Sequence, residues 1–302
     1  MSAIALAAIV TFTGTIAGTA QAEGTGQPHD RQLLFFNHAY AVVDRATADA
    51  IERSTYLQRF ANFEVRTTTG SDGATWTARY LMGRETYVEL LGVGDLPGKD
   101  GVLGAGGLGV SVEKAEDLDT VIARLEDEGI PDPYLHDQTR DFGDGVPVPW
   151  FDAVFAKTVY DAFGAWGMEY RPEYFADPRS DTEPPDHPRD VGRERYLSDE
   201  YRAHLMRDVT GLHVAVTALD LANTLPLLDA GGFELRPSPG GITASRGGTT
   251  LRFEMVQLNR IGLRSIDFSL NYPVSHHQER LGRSTLVVGP GSTARWTFPT
   301  TP

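Results

Sequence analysis

The sequence predicts an α+β protein in which a strand, a helix and three further strands recur in tandem. Short strand-like stretches are separated by Gly-containing turns, and helix-like segments follow the opening strand of most rounds. The same order returns about four times along the 302 residues, the last time in abbreviated form. Repetition of this kind defines the fold before any single residue does, because each unit must bury its apolar face against its neighbours.

The first round has the order β-α-β-β-β. A strand runs from Leu33 to Val43, and the segment Ala46–Phe60 lacks Gly and Pro, which favours a helix. Three strand-like stretches follow, at Phe63–Thr69, Thr75–Met82 and Thr86–Val93.

The second round opens with a short strand, Leu108–Val112. Asp117 is placed to cap a helix with apolar residues at i, i+3, i+4 and i+7, which ends at Gly129. A Pro-containing stretch is predicted to be a long loop, and strands follow at Phe151–Tyr160 and Trp166–Tyr170.

The third round repeats the pattern from a strand at Leu212–Val216. Asp220 is placed to cap its helix, and three strands follow, at Phe233–Arg236, Gly241–Ser245 and Thr249–Gln257. In the fourth round a strand at Leu263–Leu270 leads into a loop with His276 and His277 instead of a helix. A final hairpin pairs Thr285–Val288 with Thr293–Phe298.

The chain is predicted to divide into two folded domains behind a leader. Apolar residues up to Ala17, followed by Ala20-Gln21-Ala22, are typical of a signal peptide over residues 1–22, which predicts a secreted, extracellular protein. A linker covers 23–32, the first domain 33–175, a Pro-rich linker 176–210 and the second domain 211–302.

Composition limits the partners and the chemistry. A net charge of −14 disfavours nucleic acid, and no basic run predicts membrane binding once the signal is cleaved. The absence of Cys excludes disulfides and thiolate chemistry, so a metal would need His and carboxylate ligands. The Gly-rich stretch Gly104–Gly109 precedes a strand instead of opening a helix, so no nucleotide cofactor is predicted.

One stretch, GLHVAVTALDLANTLPLLDAGGFEL at 211–235, resembles the opening of a vicinal-oxygen-chelate module. That superfamily includes glyoxalase I, bleomycin-resistance proteins and extradiol dioxygenases, and its modules begin with a His, have an Asp about seven residues on and close with a Glu. The matching residues are His213, Asp220 and Glu254, and the first module repeats them as His38, Asp44 and Glu89. More narrowly, the chain is similar to secreted bacterial proteins with glyoxalase-like repeats.

The resemblance implies that each pair of modules curls into a cup with a divalent metal inside, such as Zn, Fe, Mn, Ni or Mg. His38, Glu89 and Glu169 would be the ligands, and Glu89 and Glu169 the catalytic groups. Since side chains alternate along strands, His38 and Tyr40 share one face of their strand, and Tyr87 and Glu89 share one face of theirs. The first strand of the second module offers only glycine near Gly107–Gly109.

The C-terminal half matches the family less completely. His213 and Glu254 form a weaker second site, because Trp296 and Arg264-Ser265 lie near the other two ligand positions. A pocket lined by Trp296 and Phe298, or a purely structural role, is the alternative.

Three functions stay open at this point. The first is a metal-dependent enzyme, a lyase, isomerase or dioxygenase, that acts on a small oxygen-rich substrate. The second is a metal-free module that binds or sequesters a small molecule between Tyr40, Tyr87 and Tyr170. The third is a scaffold without a pocket; in each case the protein would be a monomer or a homodimer.

Overall fold

A computed structural model describes residues 29, 31–70 and 73–300. The predicted signal peptide, residues 1–22, lies outside the described residues. None of the helices in the described ranges combines the length and apolar character of a membrane span.

The predicted α+β architecture of tandem modules is confirmed. The first module contains β1 Phe35–Val43, α1 Arg45–Glu52, α2 Leu57–Phe60, β2 Asn62–Thr69, β3 Thr75–Met82 and β4 Tyr87–Gly92. The second contains β5 Gly106–Ser111, α3 Asp117–Asp127, β6 Tyr134–Arg140, β7 Val148–Phe155 and β8 Phe163–Tyr170. Two short helices then precede the second half, α4 Pro172–Ala176 and α5 Arg193–Tyr196.

The second half repeats this order with a shortened last module. Its first module contains β9 Met206–Val216, α6 Ala218–Ala230, β10 Glu234–Ser238, β11 Gly241–Arg246 and β12 Thr249–Met255. The last one has no α-helix between its first two strands and contains β13 Gly262–Val274, β14 His277–Leu281, β15 Ser284–Val288 and β16 Gly291–Thr297. Short 3-10 turns lie at Lys99–Gly101, Asp199–Ala203 and Leu258–Arg260.

Each half forms one mixed sheet of eight strands. The orders are β2-β3-β4-β1-β5-β8-β7-β6 and β10-β11-β12-β9-β13-β16-β15-β14, so the two sheets have equivalent topologies. The opening strands of the paired modules, β1 with β5 and β9 with β13, are antiparallel neighbours at the centre of each sheet.

Two strands and one helix differ from the sequence-based expectation. The stretch predicted as a long loop contains β6, and the loop of the fourth round contains β14. Both are polar edge strands, which pair on one side only and so lack the apolar alternation that marks a strand. The helix predicted over Ala46–Phe60 is broken into α1 and α2.

The two sheets pack against each other through their apolar faces. Ala39 and Ala41 of β1 and Leu90 of β4 belong to one apolar core with Leu212 of β9 and Ile266 of β13. Helix α6 contacts both β8 of the first sheet and β12 of its own. The core therefore lies between the sheets, and the opposite face of each sheet is not part of it.

The predicted cap residue Asp220 has a different role. Thr217 caps α6, and the buried carboxylate of Asp220 accepts the backbone N–H groups of Asp161, Ala162 and Phe163 at 2.7 to 3.2 Å. Asp220 thus fixes the start of β8 to the helix of the other half.

Candidate functional site

A cavity of about 310 Å³ opens on the face of the first sheet that is turned away from the core. We call this cavity the cup. Most of its wall is aromatic, and its rings include those of Tyr40, Trp76, Tyr87, Trp150, Phe155 and Trp166. Tyr170 also lines it, so the three tyrosines proposed from sequence meet here. Tyr196 of α5 supports this wall from behind, with its ring stacked on Tyr170 at 4.0 Å.

His38 lies on the floor of the cup. Its ring is stacked on Tyr87 with centroids 4.6 Å apart and meets Trp166 edge-on at 5.3 Å. The side chain is 8% exposed. Burial disfavours the charged imidazole and lowers the pKa of His38 to about 3, so the ring is neutral at pH 7.

A β-bulge fixes the orientation of His38. The ladder between β1 and β5 changes register between Phe36 and His38, which makes Asn37 an extra residue. Asn37 Oδ1 lies 2.9 Å from His38 Nδ1, and its amide nitrogen donates to Ser111 Oγ at 3.0 Å and to the Tyr170 hydroxyl at 3.1 Å. Because the amide oxygen only accepts, His38 Nδ1 carries the proton and Nε2 presents a lone pair.

Glu89 completes the floor. Its Oε1 lies 4.0 Å from His38 Nε2, and its side chain is 12% exposed. Burial raises the pKa of Glu89 to about 7 and outweighs the opposing effects of Arg66 and of hydrogen bonds from Tyr80 and Trp76. Since His38 is neutral, the contact between the two residues is not an ion pair.

Glu169 does not join this pair, which corrects the sequence-based expectation. Its neighbours Trp166, Met168 and Tyr170 line the cup, so alternation along β8 turns Glu169 to the opposite face. There its carboxylate accepts the backbone N–H groups of Glu116 at 3.0 Å and Leu118 at 3.3 Å, at the start of α3. Glu169 therefore caps a helix, and no catalytic or ligand role in the cup is open to it.

The second module adds no other ligand from its opening strand. Gly107 and Gly109 lie opposite Tyr40 and His38 across the ladder, on the cup face. A Cβ at Gly109 would lie 2.5 Å from His38 Cε1, and one at Gly107 would lie 2.4 Å from Tyr40 Cε1. The rings of β1 thus occupy the space that a side chain of β5 would need.

The donor set does not fit the divalent metal that the resemblance implies. A protein-bound metal of this type is held by three or more side chains, and the cup supplies His38 Nε2 and Glu89 alone from the predicted set. No group of three potential ligands occurs anywhere in the described residues. The structure therefore does not bring His38, Glu89 and Glu169 together at one place.

The matching face of the second sheet has a different character. His213 Nε2 lies 3.7 Å from Glu254 Oε2, as the weaker site predicted, but Arg264 Nε lies 3.4 Å from the same oxygen. Burial and then Arg252 lower the pKa of His213. Trp296 is fully buried in the core and donates to Ser284 Oγ at 2.9 Å, so the expected pocket around it does not form on this face.

Sequence reasoning missed several residues of the site. Asn37 carries no motif, and only the bulge brings it beside His38. His136 and Gln138 reach the cup from β6, a strand in a stretch that the sequence predicts to be a loop. Asp100 reaches it from the turn between β4 and β5, for which alternation along strands gives no rule.

Glu89 predicts a pH-dependent stability. In the unfolded chain a glutamate loses its proton near its ordinary value of 4.5, whereas in the fold it keeps the proton to about 7. Stability is therefore lost as pH rises through this window. Replacement Glu89→Gln removes the effect and should raise the free energy of unfolding at pH 8 by about 3 kcal/mol, from about 1.4 kcal/mol per pKa unit over the rise from 4.5 to about 7.

Denaturant unfolding of both proteins at pH 4 and pH 8 measures this difference. At pH 4 the two proteins should differ little, because Glu89 is protonated in both states. Glu126→Gln, at an exposed position of α3, is the control and should change little at either pH. A Glu89→Gln protein that is less stable than the original at pH 8 would contradict the assignment of a buried, costly carboxylate.

Comparison with solved structures relates the fold to known proteins. A hypothetical protein from Staphylococcus aureus shares 11% identity with a TM-score of 0.50, over 82% of this chain and 96% of that chain. Homoprotocatechuate 2,3-dioxygenase from Arthrobacter globiformis shares 14% with a TM-score of 0.37, over 76% and 62% of the two chains. For 2,2',3-trihydroxybiphenyl 1,2-dioxygenase from Sphingomonas wittichii strain RW1 the values are 13% and 0.35, over 89% and 91%. The likeness to the Staphylococcus aureus protein concerns the fold and does not extend to activity.

Comparison of sequences places the chain in a family. No curated protein matches it. The sequence profile of a family of unknown function, DUF5829, matches residues 36–298, which is most of the chain. The protein therefore belongs to the DUF5829 family.

Proposed function

We propose that the cup binds a small apolar or aromatic molecule that donates a hydrogen bond to His38 Nε2 or Glu89. The observation that carries this proposal is a preformed cavity of about 310 Å³ with aromatic walls and two hydrogen-bond acceptors on its floor. Cavities of this size with apolar walls and a few convergent polar groups are typical of small-molecule sites.

The floor is organised before any ligand arrives. Tyr87 and Trp166 hold the His38 ring, and Asn37 holds its Nδ1–H, so that Nε2 faces Glu89 without reorganisation. A rigid acceptor loses little entropy on binding, which favours affinity for a ligand with a matching donor. Ring faces supply the apolar contact area.

Binding is favoured over a metal-dependent reaction. The dioxygenase-like or glyoxalase-like chemistry that the resemblance implies would need a third donor, and Glu169, the residue expected to supply it, caps α3 on the opposite face of the sheet. We therefore place sequestration of a small molecule before metal-dependent catalysis as the function of the cup.

Proton transfer by Glu89 is a second candidate function. A carboxyl group whose pKa is about 7 can both take and return a proton near neutral pH. The proton of an acidic C–H bond in a bound molecule would move to Glu89, while His38 Nε2 accepts a hydrogen bond from the same molecule. Deuterium exchange of ligand C–H groups in D2O, lost in Glu89→Gln, would separate turnover from binding alone.

Replacement His38→Phe tests the acceptor on the floor. Phenylalanine keeps a ring stacked on Tyr87 but has no Nε2, so a ligand hydroxyl loses its partner. Affinity for phenethyl alcohol, measured by calorimetry, should fall about five- to tenfold, the value of one hydrogen bond of about 1 kcal/mol.

His213→Phe is the matched control, since His213 holds the same place in the opening strand of the other half. It should leave the affinity for phenethyl alcohol unchanged. If the original protein does not bind such a molecule, or if His213→Phe weakens binding as much as His38→Phe, the cup is not the site.

Metal removal provides an independent test. Because no three potential metal ligands lie close together in the described residues, purified protein should hold divalent metal at well below one ion per chain. Dialysis against EDTA should change neither the unfolding temperature nor the affinity for phenethyl alcohol. One equivalent of metal that is retained by the original protein and lost in His38→Phe would restore the metal-dependent alternative.

A further inference from the structure

The ionisable side chains that line the cup are acidic or neutral. Glu89 lies on the floor, and Asp100 approaches from the turn between β4 and β5, where it accepts a hydrogen bond from the Tyr160 hydroxyl at 2.9 Å. Within the described part of the chain, neither Lys nor Arg lines the cup, and its two histidines are His38, which is neutral at pH 7, and His136. A ligand there meets two carboxyl groups and no permanent positive charge.

Arg66 is the cation that acts on Glu89, but it does not enter the cup. Its guanidinium lies over the Tyr80 ring, 4.3 Å from the centroid, and its Nη1 lies 3.0 Å from Glu64. Arg66 and Glu64 line a separate polar cavity. The positive charge of Arg66 is therefore shared with Glu64. Among the residues that line the cup, no Lys or Arg stands beside the Glu89 carboxyl group.

The aromatic wall suits a positive charge as well as apolar carbon. Tyr40 and Phe155 flank Trp166, with centroids 6.4 and 6.2 Å away and ring planes tilted by about 33 to 34°. Ring faces carry negative electrostatic potential and attract ammonium groups. The chain itself uses this contact beside the cup, because Lys99 Nζ lies 3.4 Å from the centroid of Tyr160.

Other ligand charges fit less well. An anion would be buried beside two carboxyl groups without a compensating cation, which is strongly unfavourable. A neutral alcohol would satisfy the acceptors but leave the ionised form of Glu89 without a partner charge. A protonated amine can donate hydrogen bonds to the acceptors, lie against the ring faces and pair with the negative charge of the carboxylates.

The second sheet shows that this pattern is not a general consequence of the fold. At the matching histidine, His213, the neighbouring charges include Arg252, Arg264 and Arg295. Glu254 also lies beside His213, so the second face carries an acid together with three arginines, whereas within the described residues no Arg or Lys lines the cup.

From this arrangement we propose that the ligand of the cup is an organic cation, a protonated amine on a small aromatic or apolar body. The proposal rests on the proposed binding function and specifies its ligand class. The nitrogen would lie against Glu89 and His38 Nε2 or near Asp100, with the apolar body between Tyr40, Trp166 and Phe155.

Three probes with one carbon skeleton test the charge preference by calorimetry at pH 8. Phenethylamine, which is protonated, should bind at least tenfold more tightly than phenethyl alcohol, and phenylacetate should not bind measurably. Glu89→Gln should reduce the affinity for phenethylamine at least tenfold and that for the alcohol by less than threefold. Asp100→Asn should act in the same direction with a smaller effect, and provides a second variant.

Asp137→Asn is the matched control, because Asp137 is an exposed carboxylate on β6 between two residues that line the cup. It should leave all three affinities unchanged. If phenethyl alcohol binds as tightly as phenethylamine, the cation preference is wrong while the binding function stands. If neither binds, the binding function fails and the preference with it. A preference that survives both Glu89→Gln and Asp100→Asn would also overturn the inference, because the carboxyl groups would not be its source.

Discussion

Packing of the two sheets against each other decides which side chains can reach the cup. Alternate residues of β1 and β4, such as Ala39 and Leu90, are committed to the core that both sheets share. Because side chains alternate along a strand, the intervening residues His38, Tyr40 and Glu89 must face away from that core. The position of the site thus follows from which residues are buried, and a register shift of one residue would move these side chains into apolar surroundings.

The same rule explains why one half of the predicted site formed and the other did not. Within the first module, the expected pairing of His38 with Glu89 follows directly from alternation on two adjacent strands. Glu169 was assigned by its place near the end of β8, and a difference of one residue turns a side chain to the other face. Once turned, its carboxylate serves the free N–H groups of α3, a role that spacing along the sequence does not reveal.

The features that the sequence does not predict lie in irregular structure and in polar edge strands. The tandem modules were predictable because their central strands carry apolar runs, whereas the edge strands β6 and β14 are polar and pair on one side only. The Asn37 bulge, which orients the imidazole, leaves no pattern in the sequence. The segment between the halves also contributes, since Tyr196 supports the wall of the cup. The sequence shows the aromatic residues themselves, but only the strand register brings their side chains together on the cup face of the first sheet.

We propose that a small molecule binds in the cup. The four tryptophans of the chain allow a direct test, because Trp76, Trp150 and Trp166 line the cup and Trp296 lies in the core of the other sheet. Their indole N–H signals can be followed by NMR during titration with phenethylamine. If phenethylamine binds in the cup, the three cup signals should shift together and saturate while the Trp296 signal stays in place. Four unchanged signals, or a Trp296 signal that moves as far as the others, would contradict it.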